Sequence, residues 1–230
     1  MAEDPGGGPP LTGPWVGVDG CRSGWQCAWL AADGWNLRRI PTFDEVLVAF
    51  PEEAVLAVDM PIGLPDEGFR ECDLLARALL GRFASRVFLA PPRPCLGART
   101  PTEFQAIHRR LTGKGAGVPV WRIVPQILEL DRLLGPELHG RVFEAHPELA
   151  FQALAGTPLP SKHTPEGLAA RRRVLGLAPH ERPTTDDDLD AMVLSLVARL
   201  FVQGRTRTLP ALPRTDALGK PMRIVVPIAP

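Results

Sequence analysis

The chain contains no tyrosine and only 4 cysteines among its 230 residues. Cys21, Cys27, Cys72 and Cys95 fall into no CxxC or CxxH spacing, which argues against a structural zinc site and reads as reduced thiols. Net charge is absent as well. Lys and Arg total 26 and Asp and Glu total 26, so any surface for a polyanion must come from local segregation of charge. No apolar run approaches the ~18 residues of a membrane span. The Gly/Pro-rich stretch over residues 1–13, with two acids, does not read as a signal peptide. The expected compartment is therefore the cytoplasm, with no membrane partner. The five tryptophans, Trp15, Trp25, Trp29, Trp35 and Trp121, fall mostly in expected core strands and suggest no stacking platform for single-stranded nucleic acid.

What is present is enough apolar material, 45% of residues, for one good core. The reading is a mobile tail over residues 1–13, then a single α/β domain over residues 14–230 with a helical and loop insertion at about 64–140. Its centre is the run Ala54-Val55-Leu56-Ala57-Val58-Asp59-Met60-Pro61-Ile62-Gly63. Five apolar residues, an aspartate, then Pro and Gly describe a strand buried on both faces that ends in a turn. Asp59 is thereby placed at the carboxyl end of a strand, where open α/β sheets hold their ligands. Trp15-Val16-Gly17-Val18-Asp19-Gly20 repeats that ending.

Taken in order, strands are expected at residues 15–19, 25–32 and 35–40, joined by tight turns into an antiparallel meander. Thr42 with Glu45 caps a short helix to about Phe50. That helix crosses over to the strand at 54–59, which must then run parallel to the first strand. Helices follow at residues 70–80, 101–113, 125–134, 147–156 and 164–176, each punctuated by Pro near its start or Gly at its end. Residues 141–146 read as a fifth strand, and the span 81–99, with four arginines, as an insertion with a function. Thr184-Thr185-Asp186-Asp187-Asp188-Leu189-Asp190 opens a helix to about Val202, apolar nearly all round and hence buried. Residues 203–221 read as a Pro-rich, basic connection, and 223–228 as either a last short strand or a trailing end.

Asp19 and Asp59 end strands, Glu148 follows one, and Asp187 and Asp190 share a helix face. Gathering such acids without a counterion costs several kcal/mol. Hard carboxylate oxygens suit Mg²⁺ or Mn²⁺, and a pair of such ions activates water and stabilises the leaving oxygen of a phosphodiester. Nucleic-acid hydrolysis is the leading expectation.

Several motifs in fixed order then carry a resemblance: Gly17-Val18-Asp19-Gly20 with Gly24-Trp25; Val58-Asp59-Met60-Pro61-Ile62-Gly63-Leu64-Pro65; Arg70-x-Cys72-Asp73-x-x-Ala76-Arg77; Glu144-x-His146-Pro147-Glu148; and Asp186-Asp187-x-x-Asp190-Ala191. Over residues 15–202 the chain resembles the domain of unknown function 429 family, a group of predicted nucleases of RNase H-like fold. The resemblance implies a mixed five-stranded sheet, three antiparallel strands followed by parallel ones, flanked by helices. It implies Asp19 and Asp59 as central metal ligands, with Asp187 and Asp190 supplying the helix side. Glu148 is either a further catalytic acid or a partner of its helix dipole. His146 is a base, a phosphate contact or a helix cap.

Arg70 and Lys162 are the expected phosphate contacts, Arg77 a solvated ion-paired residue. His108-Arg109-Arg110 with Lys114, and Arg171-Arg172-Arg173, are candidates for a surface that tracks a nucleic-acid backbone. DNA and RNA are not distinguished, and a homodimer is left open. Two alternatives stand beside the nuclease: an ATPase or kinase-like protein of related fold, and a nucleic-acid-binding module without catalysis.

Overall fold

A computed structural model of the chain describes residues 14–178 and 185–229. The tail expected over residues 1–13 and the expected helix-leading Thr184 lie outside the described residues. Five strands form the main sheet: β1 (Trp15–Cys21), β2 (Gly24–Ala31), β3 (Gly34–Ile40), β4 (Val55–Asp59) and β5 (Val142–Glu144), in the order β3-β2-β1-β4-β5. β1, β2 and β3 are antiparallel neighbours, while β4 and β5 run parallel to β1. This is the mixed sheet that the sequence pattern implies. Between β3 and β4 lies the short helix α1 (Phe43–Ala49), whose first turn is held by Thr42 accepting from the Glu45 amide.

Side chains alternate across a strand, so each central strand feeds two cores. Val16, Val18, Leu56 and Val58 pack on one face with α1 and with α5 (Val124–Leu133). Val55 and Ala57 pack on the other with α6 (Pro147–Ala155), α7 (Pro165–Val174) and α8 (Asp186–Val202). Gly17, Asp19, Val55, Ala57 and Asp59 all have the parity of the α8 face. The two aspartates are thereby aimed at the start of α8 by the pleat alone.

α8 is the fixed point of that face. Thr185 accepts from the Asp188 amide and Asp188 accepts from the Thr185 amide, a complete capping box. Leu189, Met192, Val193, Leu194 and Val197 are fully buried, and each such side chain contributes about 1.5–3 kcal/mol. The helix lies so close to β1 that a Cβ at Gly17 would stand 1.8 Å from the Ala191 carbonyl oxygen. Ser195 Oγ donates to the Trp15 carbonyl at 2.8 Å across the same seam. Glycine at position 17 is therefore a packing requirement, and it draws Asp190 toward the end of β1.

Between β4 and β5 come α2 (Glu71–Leu80), α3 (Pro101–Thr112), α4 (Val118–Arg122), α5 and three 3-10 turns (Gly81–Arg86, Arg93–Gly97 and Pro136–Leu138). The sequence reading lacked α4, an element of 5 residues around Pro119 too short to show a period. This region holds a small core of Cys95, Phe104, Val120 and Val124. The connection expected over 203–221 contains β6 (Thr206–Leu209), which pairs with β7 (Ile224–Pro227) in a two-stranded sheet. Only long-range pairing reveals β6, because four residues with three basic or polar side chains carry no readable alternation. Among the described residues no helix is long and apolar enough to cross a membrane.

Candidate active site

At the carboxyl edge of the sheet, Asp19 and Asp59 are register partners on adjacent parallel strands. Asp190 arrives from the first turns of α8, its side chain 5% exposed. These three acids, with Asp187, His146, Glu148 and Lys162, line a cleft of about 400 Å³. Burial raises the Asp19 carboxyl well above the ordinary carboxylate range, and Asp59, Asp190 and Asp187 add to the rise. Burial also raises Asp59, against the pull of His146 and Lys162. Asp190 is pushed up to about 6 by burial, with Lys162 opposing.

Lys162 supplies the cation. Its Nζ lies 2.7 Å from Asp190 Oδ2 and 3.2 Å from Asp186 Oδ2. Burial works against its charge, yet Asp190, Asp186 and Asp19 more than compensate and raise its pKa. The loop that carries it is clamped by α7. A Cβ at Gly167 would meet the Ser161 carbonyl oxygen at 1.9 Å, and Arg171 donates to the Pro160 carbonyl at 2.9 Å. Asp186, the partner that sequence reasoning did not single out, stands at the first position of α8 and was explicable there as a dipole acid alone.

The other expected site residues are placed differently. Asp187 is at the rim, 36% exposed, with its Oδ2 4.0 Å from Arg39. Glu148 is gripped by two guanidiniums, Arg86 at 2.7 Å and the buried Arg171. His146 caps α6, its Nδ1 accepting from the Glu148 amide at 3.2 Å, so a neutral ring carries its proton on Nε2. Arg70 is buried, 2% exposed, and not free at the surface. Its guanidinium donates to Glu144 at 2.7 Å, to Asp73, and to the carbonyls of Ile62 and Gly63. The expected phosphate contact is thus a clamp on the turn that follows Asp59. Glu144 completes the clamp by accepting from the Ile62 amide at 2.8 Å, and burial pushes its carboxyl up to about 7.

Three surface expectations are corrected. Arg171 lies fully buried over the Phe151 ring, 5.3 Å from its centroid, so the triplet 171–173 is not one exposed basic face. His108 is buried too, its Nδ1 paired with the Lys114 carbonyl at 2.7 Å. Arg77, expected to be solvated, donates to the Val87 carbonyl at 2.7 Å.

As the side chains stand, the described residues contain no group of three or more His, Cys, Asp and Glu arranged to hold a metal ion. The ammonium of Lys162 occupies the side of the cluster that faces Asp190. The donor set nonetheless fits a hard cation: Asp19, Asp59 and Asp190 offer only carboxylate oxygens, and Asp190 Oδ1 is buried with no hydrogen-bond partner. No curated protein and no solved structure matches the chain. A family model does: over residues 17–215 the chain matches the family described as protein of unknown function (DUF429), and it belongs to that family.

Proposed function

We propose that the protein is a divalent-metal-dependent phosphodiester hydrolase acting on nucleic acid. The observation that carries this reading is the convergence of Asp19, Asp59 and Asp190, from two strands and a helix, at one sheet edge with a buried carboxylate oxygen left unpaired. Like charges held together in a buried place cost stability, and perturbed carboxylates in a cleft mark functional sites. Asp19, Asp59 and Asp190 would hold Mg²⁺ or Mn²⁺, with Asp187 closing the rim side. Such ions supply Lewis-acid stabilisation of phosphoryl oxygens and activation of water.

The protein's own groups then have separable tasks. Lys162, on a loop and 28% exposed at its side chain, is placed to pass from Asp190 to a phosphate oxygen once a metal neutralises the acids. His146 lines the cleft, and its Nε2–H would donate a hydrogen bond to the leaving oxygen. Arg70 and Glu144 fix the turn after Asp59, so that the aspartate is presented in one orientation. A panel of single-stranded, duplex, hybrid and branched nucleic acids with Mg²⁺ or Mn²⁺ tests the proposal. Cleavage that requires the metal and disappears in Asp19→Asn supports it; no cleavage of any substrate, or cleavage indifferent to both, overturns it.

A further inference from the structure

A second cleft, of about 1010 Å³, adjoins the acidic one, and Gly20 and Ile123 line both. Its walls come from the β1–β2 turn and from α4 and α5, elements that the acid cluster does not use. Three features give it a chemistry. Arg22, on the β1–β2 turn, and Arg122, on α4, are both exposed and make no ion pair among the described residues. Trp121 is half-buried in the wall, braced by Phe104 at 5.3 Å between ring centroids. Gln126 donates Nε2 to the Cys21 carbonyl at 3.2 Å, which leaves its Oε1 as an acceptor with no partner. The cleft's one carboxylate, Glu129, is turned away to the Trp25 indole and the Phe43 amide.

We infer that this cleft is the binding track for the single-stranded nucleic acid that continues beyond the scissile phosphate. This rests on the phosphodiesterase reading of the neighbouring acids and adds a substrate class to it. Two unpaired arginines, one on the β1–β2 turn and one on α4, suit backbone phosphates, and a half-buried indole suits the face of a base. That face is available only when the base is unstacked, which selects a single strand or a frayed end over an intact duplex. Gln126 Oε1 is closed off from solvent, so Gln126 braces the cleft through its bond to the Cys21 carbonyl and does not read base edges. On this inference Trp121 would supply the stacking surface that the sequence pattern does not suggest. It belongs to α4 in the insertion, whereas Trp25 lies in the sheet core.

The test is binding of fluorescein-labelled oligodeoxythymidylates of one, two, four and eight residues, measured by anisotropy without divalent ions at several salt concentrations. Affinity is expected to rise from one to four residues, and Trp121 emission to be quenched, with the quench missing in Trp121→Phe. Arg22→Ala/Arg122→Ala, changed only at exposed positions, is expected to bind the octamer at least tenfold more weakly. Its log–log salt slope should be shallower by about 1.4, at about 0.7 per released counterion on a single strand. Undiminished binding by that variant, equal affinity for one and eight residues, tighter binding of a duplex of equal length, or no binding of the octamer at low salt would each overturn the inference. Because binding is read without metal, failure of the wild type to hydrolyse anything would remove the phosphodiesterase reading and leave this measurement independent of it.

Discussion

Lys162 Nζ stands 2.7 Å from Asp190 Oδ2, so the acidic edge of the sheet carries a cation of its own. An ammonium and a divalent ion compete for the same oxygens, and at about 4 Å two unit charges interact by roughly 4 kcal/mol at an effective dielectric near 20. Replacing Lys162 by Met is expected to tighten Mn²⁺ binding at pH 8 by about tenfold, read as the midpoint of a thermal-shift titration. The metal-free variant should be less stable than wild type by about 2 kcal/mol, since Asp190 loses its partner and the pair is only partly shielded from water. A midpoint that stays put, or moves to higher Mn²⁺, would show that Lys162 does not guard the site.

The acids also predict an unusual pH profile for the metal-free protein. Asp19 and Asp190 have folded-state pKa values above their unfolded values, Asp190 at about 6, with burial as the leading cause. A raised carboxyl means that the native state binds more protons than the unfolded chain between about pH 4 and the folded pKa. Stability is therefore greatest at the acid side of that window and falls as pH rises through about 6. Thermal melts in a chelator should decline from pH 5 to pH 7.5, and Asp19→Asn should flatten the decline and melt higher than wild type at pH 8. Mn²⁺ stabilisation should run the opposite way, growing above pH 6 as protons leave the ligands. A metal-free melting curve that climbs over this range contradicts the placement of the acids.

Much of this arrangement is legible in the sequence, and the parts that are not have a common cause. Apolar runs ending in Asp19 and Asp59 announce strand ends, and Thr185 with the acids after it announces a capped helix; both are local patterns. That the two aspartates share a face follows from pairing in register, which the short crossover through Phe43–Ala49 already constrains. The partners of Lys162, Glu148 and Arg70 depend on packing between elements far apart in the chain. Arg171 illustrates the difficulty. In a run of three arginines on a helix it reads as solvated, yet the other side of α7 packs against Phe151 and Glu148 and takes it inward. Charge runs do not declare which member faces the core, and only the tertiary fold decides.

Gly17 makes that point at the level of one methyl group. Its missing Cβ lets α8 approach β1 until Ser195 reaches the Trp15 carbonyl, and the Ala191 carbonyl occupies the space that any side chain would need. Gly17→Ala has to push the helix and the strand apart along a seam of close-packed backbone, which costs roughly 3 kcal/mol or more. The expected result is a melting point lowered by several degrees and a loss of Mn²⁺ stabilisation, because Asp190 moves away from Asp19 with its helix. A variant that melts and binds Mn²⁺ like wild type would mean that the seam is loose.

Glu148 separates two roles that its position in the sequence leaves equal. Its carboxylate is shared by Arg86 and by Arg171, and Arg171 has no exposure to water with which to replace that contact. Glu148→Gln keeps the shape but removes the charge, leaving a buried guanidinium uncompensated, and should cost about 3 kcal/mol in urea unfolding. If the side chain is a brace for α6 and α7, the Mn²⁺ midpoint of the folded variant stays within about twofold of wild type. If it ligates metal, the midpoint shifts by tenfold or more while Asp19→Asn and Glu148→Gln behave alike. The two guanidiniums already engage both of its oxygens, so the expected outcome is a less stable protein with an intact metal response.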